Sequence, residues 1–178
     1  MREEFKTFAD LPLIERALEV AKIAHGDQKR KYTDEPYVTH CVRVAFTVFA
    51  VGARDELISA ALLHDVVEDT DVTLEELEEL FGAEVASLVE QVTDVSRPED
   101  GNRAVRKKLD REHLALASAE GATLKLADLL DNHSDISRRD PDFARVYRSE
   151  ARLTLKLLQH GDKRLLFHLS SVLMGGEK

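Results

Sequence analysis

Apolar residues in this chain recur three and four positions apart, segment after segment, and no stretch alternates apolar and polar residues between hairpin turns. Such spacing winds one apolar face along an α-helix and leaves nothing from which to build a half-buried strand. Leu13, Ala17, Val20, Ala21 and Ala24 set the pattern of a first helix, opened by Asp10 with Pro12 in the first turn and stopped by Gly26. A second helix is predicted over residues 37–51, with Gly52 just past its end, and a third over about residues 55–68. Thr73 and Glu76 have the spacing of a capping box and open a short helix that ends at Gly82. Another helix follows over residues 83–92. Pro98 and Gly101 mark residues 94–102 as the longest loop. Further helices are predicted over 103–119 and 122–136, separated by Gly121, and over 141–161. The expected fold class is all-α, a helical bundle.

A chain of 178 residues, 43% hydrophobic and 33% charged, is expected to form one globular domain over residues 1–178. At this size roughly 70% of the unfolded surface can be buried, so the core needs no metal to hold it together. Metal ligands in such a chain are therefore read as functional before structural. With 25 Lys and Arg against 34 Asp and Glu, the formal net charge is −9, a poor basis for nonspecific nucleic-acid binding. The single cysteine, Cys41, fits a reducing compartment. The first residues lack the apolar core of a signal peptide, and no apolar run approaches the roughly 20 residues that span a bilayer. A cytoplasmic location, with neither membrane nor nucleic acid as partner, is the expectation.

One segment breaks the ordinary pattern of a buried helix. Ser59-Ala-Ala-Leu-Leu is apolar on nearly every side, yet it runs directly into His64-Asp65-Val-Val-Glu68-Asp69-Thr70. His64 and Glu68 are four apart, as are Asp65 and Asp69, so each pair falls on one helical row and the rows differ by about 100°. Neighbouring ligands on such rows can chelate one ion. Two exposed like charges at this spacing cost only a few tenths of a kcal/mol, about 0.2–0.5, but buried unpaired carboxylates cost several kcal/mol each. A solvated helix end carrying acids is the plainer reading of the carboxylates alone. The His-Asp dipeptide following a buried run turns the balance toward a divalent cation.

Two further constellations stand out. Thr123-Leu-Lys-Leu-Ala-Asp128-Leu-Leu-Asp131-Asn132 sets Asp128 behind an apolar stretch, with Asn132 one turn later on the same face. Lys29-Arg30-Lys31-Tyr32-Thr33-Asp34-Glu35-Pro36-Tyr37-Val38-Thr39-His40 places three consecutive cations before a helix whose first turn carries His40. Taken singly, Asp128 reads as a surface or capping acid and His40 as a polar helix start.

Together the three features resemble the His-Asp (HD-domain) phosphohydrolases, and within them the RelA/SpoT-type alarmone hydrolase domain. The resemblance rests on the basic triplet with Glu35-Pro-Tyr-Val-Thr-His40, and on Ala61-Leu-Leu-His64-Asp65-Val-Val-Glu68-Asp69-Thr70 with Thr73 and Phe81-Gly82. Val92-Thr93 and Lys125-Leu-Ala-Asp128 with Asn132 extend it, so that it covers about residues 14–160. It implies an HD-domain helical bundle and an Mn²⁺ ion held by His40, His64, Asp65 and Asp128. It implies that Glu68 and Asp69 orient and deprotonate the attacking water, that Arg30 and Lys31 embrace the base, and that Asn132 contacts the nucleoside. Arg103, with Arg106, Lys107, Lys108 and Arg145, and also Tyr147, are candidates for holding pyrophosphate. The basic run at 103–108 reads equally well as a solvated helix face. Cys41 stands where a proline often follows the histidine, and His133-Ser134 replaces the family's usual apolar-Arg pair. His25 is expected to be structural.

The activity implied is hydrolysis of guanosine 3′,5′-bis(diphosphate) at the 3′ position, giving GDP or GTP and pyrophosphate. With the chain ending at Lys178, a small hydrolase lacking a synthetase domain is expected. Another HD-type nucleotide phosphohydrolase, acting on a 2′- or 3′-phosphate, stays open as the alternative. A silent nucleotide sensor would need a missing ligand or acid, and neither is missing from the motif.

Overall fold

The computed structural model describes Phe5 and residues 10–175. Among these residues the regular structure is helical apart from one isolated antiparallel bridge between Lys29 and Pro36, which agrees with the all-α expectation. The helices are α1 (Leu13–His25), α2 (Val38–Ala50), α3 (Asp55–Leu63), α4 (Val66–Asp69), α5 (Leu74–Phe81), α6 (Ala83–Glu90), α7 (Arg103–Leu114), α8 (Ala119–Arg139), α9 (Pro141–Leu155) and α10 (Lys163–Met174). They fall into two compact units, residues 1–93 and 94–178. No described helix is long and apolar enough to cross a membrane.

In the first unit α3 is the hub. Every residue from Leu57 to Leu63 is buried, and α1, α2 and α6 pack around it. α1 contributes Ala17, Val20 and Ala21, and α2 contributes Cys41, Val44, Ala45 and Val48, all buried at helical spacing. Small residues on α1 and α3 let the helices approach closely enough for the larger Leu and Val side chains to interlock. The Thr73–Glu76 capping box is present, with Glu76 N–H donating to Thr73 Oγ1 at 3.2 Å and Thr73 N–H to Glu76 Oε2 at 3.1 Å. Gly52 stands after α2 at φ 79°, the left-handed conformation that glycine adopts without a Cβ penalty.

Two boundaries in this unit differ from expectation. α1 begins at Leu13 after Pro12, with no side-chain cap, so Asp10 lies outside the helix it was expected to open. The helix predicted over 55–68 is interrupted at His64 and Asp65, giving α3 and the single turn α4. The reason is local. His64 Nδ1 lies 2.9 Å from the carbonyl oxygen of Ala61, an oxygen within reach of the next turn's N–H groups. A side chain that claims a helical carbonyl competes with the ladder.

In the second unit α8 packs against α9 and α10. Its start was expected after Gly121; it begins at Ala119, because Ser118 Oγ accepts from the Gly121 N–H at 3.1 Å and draws the glycine into the first turn. α7 is correspondingly shorter than predicted, ending at Leu114. α10 was not anticipated, although Asp162 caps it through the N–H groups of Arg164 and Leu165, and Leu165, Leu169 and Leu173 recur every four residues on its buried face. Gly161 permits the join: a Cβ there would lie 2.8 Å from Leu126 Cδ1 and 3.2 Å from the Ala122 backbone. The loop before α7 contains a 3₁₀ turn, Pro98–Asp100. Asp110 anchors that loop by accepting from the Ser96 N–H at 2.9 Å and its hydroxyl at 3.1 Å. Burial pushes the Asp110 carboxyl up, but the two Ser96 hydrogen bonds and Lys107 outweigh it and leave its pKa lowered.

Candidate metal centre and active site

The first unit brings His40, His64 and Asp65 together. His40 comes from the first turn of α2, His64 caps the C-terminus of α3, and Asp65 occupies the break before α4. Both imidazoles are essentially inaccessible, at 0% and 1% exposure. His40 Nε2 lies 3.4 Å from Asp65 Oδ2, and His64 Nε2 lies 3.2 Å from Asp65 Oδ1. The three ligand atoms all fall within 4.8 Å of one another.

Hydrogen bonding fixes what these atoms offer. The Ala61 carbonyl can only accept, so His64 Nδ1 carries a proton and Nε2 is the ring nitrogen that faces Asp65. The Tyr37 hydroxyl donates to Asp65 Oδ2 at 2.7 Å and holds the carboxylate beside the two rings. Outer contacts of this kind orient metal ligands and set their tautomers. First-row divalent ions bind such donors at about 2.0–2.2 Å, which places adjacent donors about 2.8–3.6 Å apart from octahedral to tetrahedral geometry. The donor set fits a divalent cation: two imidazoles and one carboxylate, aimed inward and oriented from behind.

Around this cluster the first unit places the other predicted residues. Glu68 and Asp69 follow one turn on, both exposed, with the Asp69 N–H donating to the Asp65 carbonyl at 2.9 Å. Asp69 Oδ2 accepts from Gln28 Nε2 at 3.1 Å. Residues 28–37 form a tight loop in which Arg30 N–H donates to Glu35 O at 3.0 Å and Tyr37 N–H to Gln28 O at 2.8 Å. That closure buries most of Arg30 and sets its guanidinium 5.7 Å from the centre of the Tyr37 ring. Because Tyr37 also holds Asp65, Arg30 belongs to the same neighbourhood. Lys31 is exposed, with its ammonium 4.9 Å from the Tyr32 ring.

The second unit carries Asp128 and Asn132 on α8 and Tyr147 on α9. Asp128 is buried on α8; its Oδ1 accepts from Asn132 Nδ2 at 2.5 Å, and its Oδ2 lies 3.0 Å from Lys125 Nζ. A buried carboxylate without such partners would be costly. The Tyr147 hydroxyl donates to the Leu129 carbonyl at 3.2 Å, and its ring sits 6.4 Å from that of His133. Burial, and then the positive charge of Arg148, hold the His133 pKa below its ordinary value, so the ring favours its neutral form. Arg103 is engaged in a two-pronged hydrogen bond to Glu150, at 2.8 and 2.7 Å, which raises the guanidinium pKa still further. Lys107 is tied to Asp94 at 2.5 Å, Lys108 lies 3.5 Å from Glu112, and Arg145 is exposed.

Tyr37 and Gln28 join the site through contacts that the sequence does not announce: Tyr37 stands in the Glu35–His40 motif without an assigned role, and nothing in the sequence marks Gln28.

Comparison with known proteins agrees with this geometry. A family model for the HD domain matches residues 17–153 and so runs through both units. The chain is 44% identical over 128 residues to guanosine-3′,5′-bis(diphosphate) 3′-pyrophosphohydrolase MESH1 of Drosophila melanogaster, covering 70% of this chain and 69% of that one. It is 47% identical over 122 residues to a guanosine-3′,5′-bis(diphosphate) 3′-pyrophosphohydrolase of Aquifex aeolicus. That match takes in 67% of this chain but only 17% of the Aquifex protein. Among solved structures, a metazoan ortholog of SpoT described as hydrolysing ppGpp and acting in starvation responses superposes with a TM-score of 0.81. It is 33% identical, over 92% of this chain and 94% of that one. A Listeria monocytogenes protein gives a TM-score of 0.62 at 27% identity, over 80% and 96% of the two chains. The chain belongs to the HD-domain hydrolase family, in its RelA/SpoT/MESH1-type branch.

Proposed function

We propose that this protein is a metal-dependent pyrophosphohydrolase acting on guanosine 3′,5′-bis(diphosphate) at the 3′ position, with Mn²⁺ as its resident ion. The buried, inward-facing cluster of His40, His64 and Asp65 carries the reading. The named activity of relatives that match most of their length and most of this one supports the substrate. The family match through both units supports taking residues 1–178 as a single HD-type hydrolase domain. Mixed imidazole and carboxylate donors suit manganese, although nickel or zinc can bind the same atoms more tightly.

His40, His64 and Asp65 would hold the cation, and Asp128 is assigned as fourth ligand from its sequence motif. When bound, a divalent ion supplies positive charge beside the reacting phosphorus and lowers the pKa of water. Glu68 and Asp69 orient a water molecule and take its proton as its oxygen forms a bond to the 3′-linked phosphorus. The bond from that phosphorus to the ribose 3′ oxygen breaks, the 3′ oxygen gains a proton, and pyrophosphate departs. A 5′-diphosphate substrate yields GDP, and a 5′-triphosphate yields GTP.

Arg30 and Lys31 are assigned to the base, and Asn132 to the nucleoside. Arg103 and Tyr147 are assigned to the phosphates; Arg103 would exchange the carboxylate fork of Glu150 for a phosphate of similar geometry. With a net charge of −9, attraction of a polyanion falls to these local cations rather than to the whole surface. A buried lone cysteine and a small nucleotide substrate support a cytoplasmic location, without nucleic acid or membrane as partner.

A competition series tests the substrate. With Mn²⁺ present, the bis(diphosphate) is expected to be turned over far faster than GTP or a 3′-monophosphorylated nucleotide, and to outcompete both. Raised salt is expected to weaken its binding by screening the phosphate contacts. Equal turnover of GTP and the bis(diphosphate) would replace this reading with a general nucleotide phosphohydrolase.

A further inference from the structure

His25, expected to be structural, is the inner end of a hydrogen-bonded chain that leads to Asp69. Its ring is buried at 4% exposure, with Nε2 3.7 Å from the Cys41 thiol and Nδ1 2.7 Å from Gln28 Oε1. Gln28 in turn donates through Nε2 to Asp69 Oδ2 at 3.1 Å, across 41 residues of sequence. Only one polarity satisfies all these atoms. A carboxylate accepts, so the amide must present its NH₂ to Asp69 and its oxygen to His25; that oxygen accepts, so His25 Nδ1 carries a proton. The backbone of Gln28 is pinned as well, its N–H donating to His25 O at 2.8 Å and its carbonyl accepting from Tyr37 N–H at 2.8 Å. The other end of this arrangement opens on a cavity of about 480 Å³ whose wall includes His25, Gln28, Asp69 and Asp71.

We infer that Gln28 is a positioning residue for Asp69, and that His25 fixes which end of the Gln28 amide faces it. Asp69 is exposed and lies in the last turn of the short α4, where its own helix does little to restrain the side chain. A single donor, held by a buried ring, limits the carboxylate to one orientation. For a group that must meet a water proton along a narrow path, that restriction acts on the chemical step rather than on substrate binding. The inference rests on the proposed role of Asp69 as a proton acceptor.

Two substitutions separate positioning from packing. Gln28→Glu keeps the length of the side chain and still accepts from His25, but offers Asp69 a carboxylate oxygen instead of a donor. Gln28→Met keeps the bulk and removes both polar contacts. Each is expected to lower kcat by roughly 10- to 100-fold, with KM and metal content close to those of the unmodified protein; Tm is expected to hold in Gln28→Glu and to fall in Gln28→Met, which strands the buried His25 Nδ1–H. In an Asp69→Asn background the same substitutions are expected to cost nothing further, because Gln28 acts only through that carboxylate. Full activity of Gln28→Glu, or losses that multiply in the double variants, would make Gln28 a structural residue and overturn the inference. Unchanged kcat in Asp69→Asn alone would instead overturn the proposed role of Asp69, and the inference with it.

Discussion

Removal of the metal by chelation is expected to abolish turnover while leaving the helical circular dichroism in place. The core of the first unit is closed by apolar contacts among α1, α2, α3 and α6 that do not pass through the cluster. Small metallo-domains that unfold on chelation lack such a core. Charge stabilisation by a metal is worth several kcal/mol in the transition state, and about 4 kcal/mol already corresponds to ~10³-fold in rate. Asp65→Asn is expected to reproduce the effect with little change in shape, since an amide keeps one oxygen for the Tyr37 hydroxyl but loses the negative charge between His40 and His64. Metal content per chain, measured after dialysis, is expected to fall with activity. Asp128→Ala is expected to behave in the same way, and full activity there would remove Asp128 from the ligand set. Wholesale loss of helicity on chelation would show a structural ion instead.

Glu68→Gln and Asp69→Asn are expected to lower kcat by roughly 10²–10⁴, the range for loss of a general base, with the metal retained. Both side chains are exposed on α4, whereas the metal cluster is built from His40 on α2 and from His64 and Asp65 before α4, so neither substitution removes a ligand atom of the cluster. The comparison to make is metal content against kcat in the same preparations. If both variants lose the metal, Glu68 and Asp69 belong to the ligand set and the proton acceptor must be sought elsewhere.

The helical class was legible because helix faces and caps are local properties. Thr73 and Glu76 are three apart and announced their helix directly, as Gly52 announced the end of α2. What escaped was decided by contacts that spacing does not encode. The break at His64 and Asp65 comes from a side chain taking a backbone carbonyl, and from periodicity alone the helix runs straight through it. Gly121 reads as a helix breaker until Ser118 is seen to use its N–H as a capping donor. α10 has its signals in Asp162 and the four-residue leucine spacing, but Gly161 before them reads as a helix end.

The site divides along the same line. His64 and Asp65 were legible because a charged pair after a buried run is costly without a partner, and His40 became informative only beside them. Tyr37 looked like part of a helix start; its hydroxyl reaches Asp65 28 residues away. In the sequence Arg30 is one cation of a basic run, whereas its burial against Tyr37 follows from the closure of the 28–37 loop. The sequence offers Arg103 as a candidate phosphate ligand, and its fork on Glu150 spans 47 residues of sequence. Contacts at such separations belong to the fold.

The most direct test of the central claim is hydrolysis of guanosine 3′,5′-bis(diphosphate) in ¹⁸O-labelled water with Mn²⁺, with the products separated by anion exchange and weighed by mass spectrometry. Attack on the 3′-linked phosphorus predicts unlabelled GDP and pyrophosphate carrying one ¹⁸O. Orthophosphate as the first product, or label in the nucleoside, would contradict 3′-pyrophosphohydrolysis.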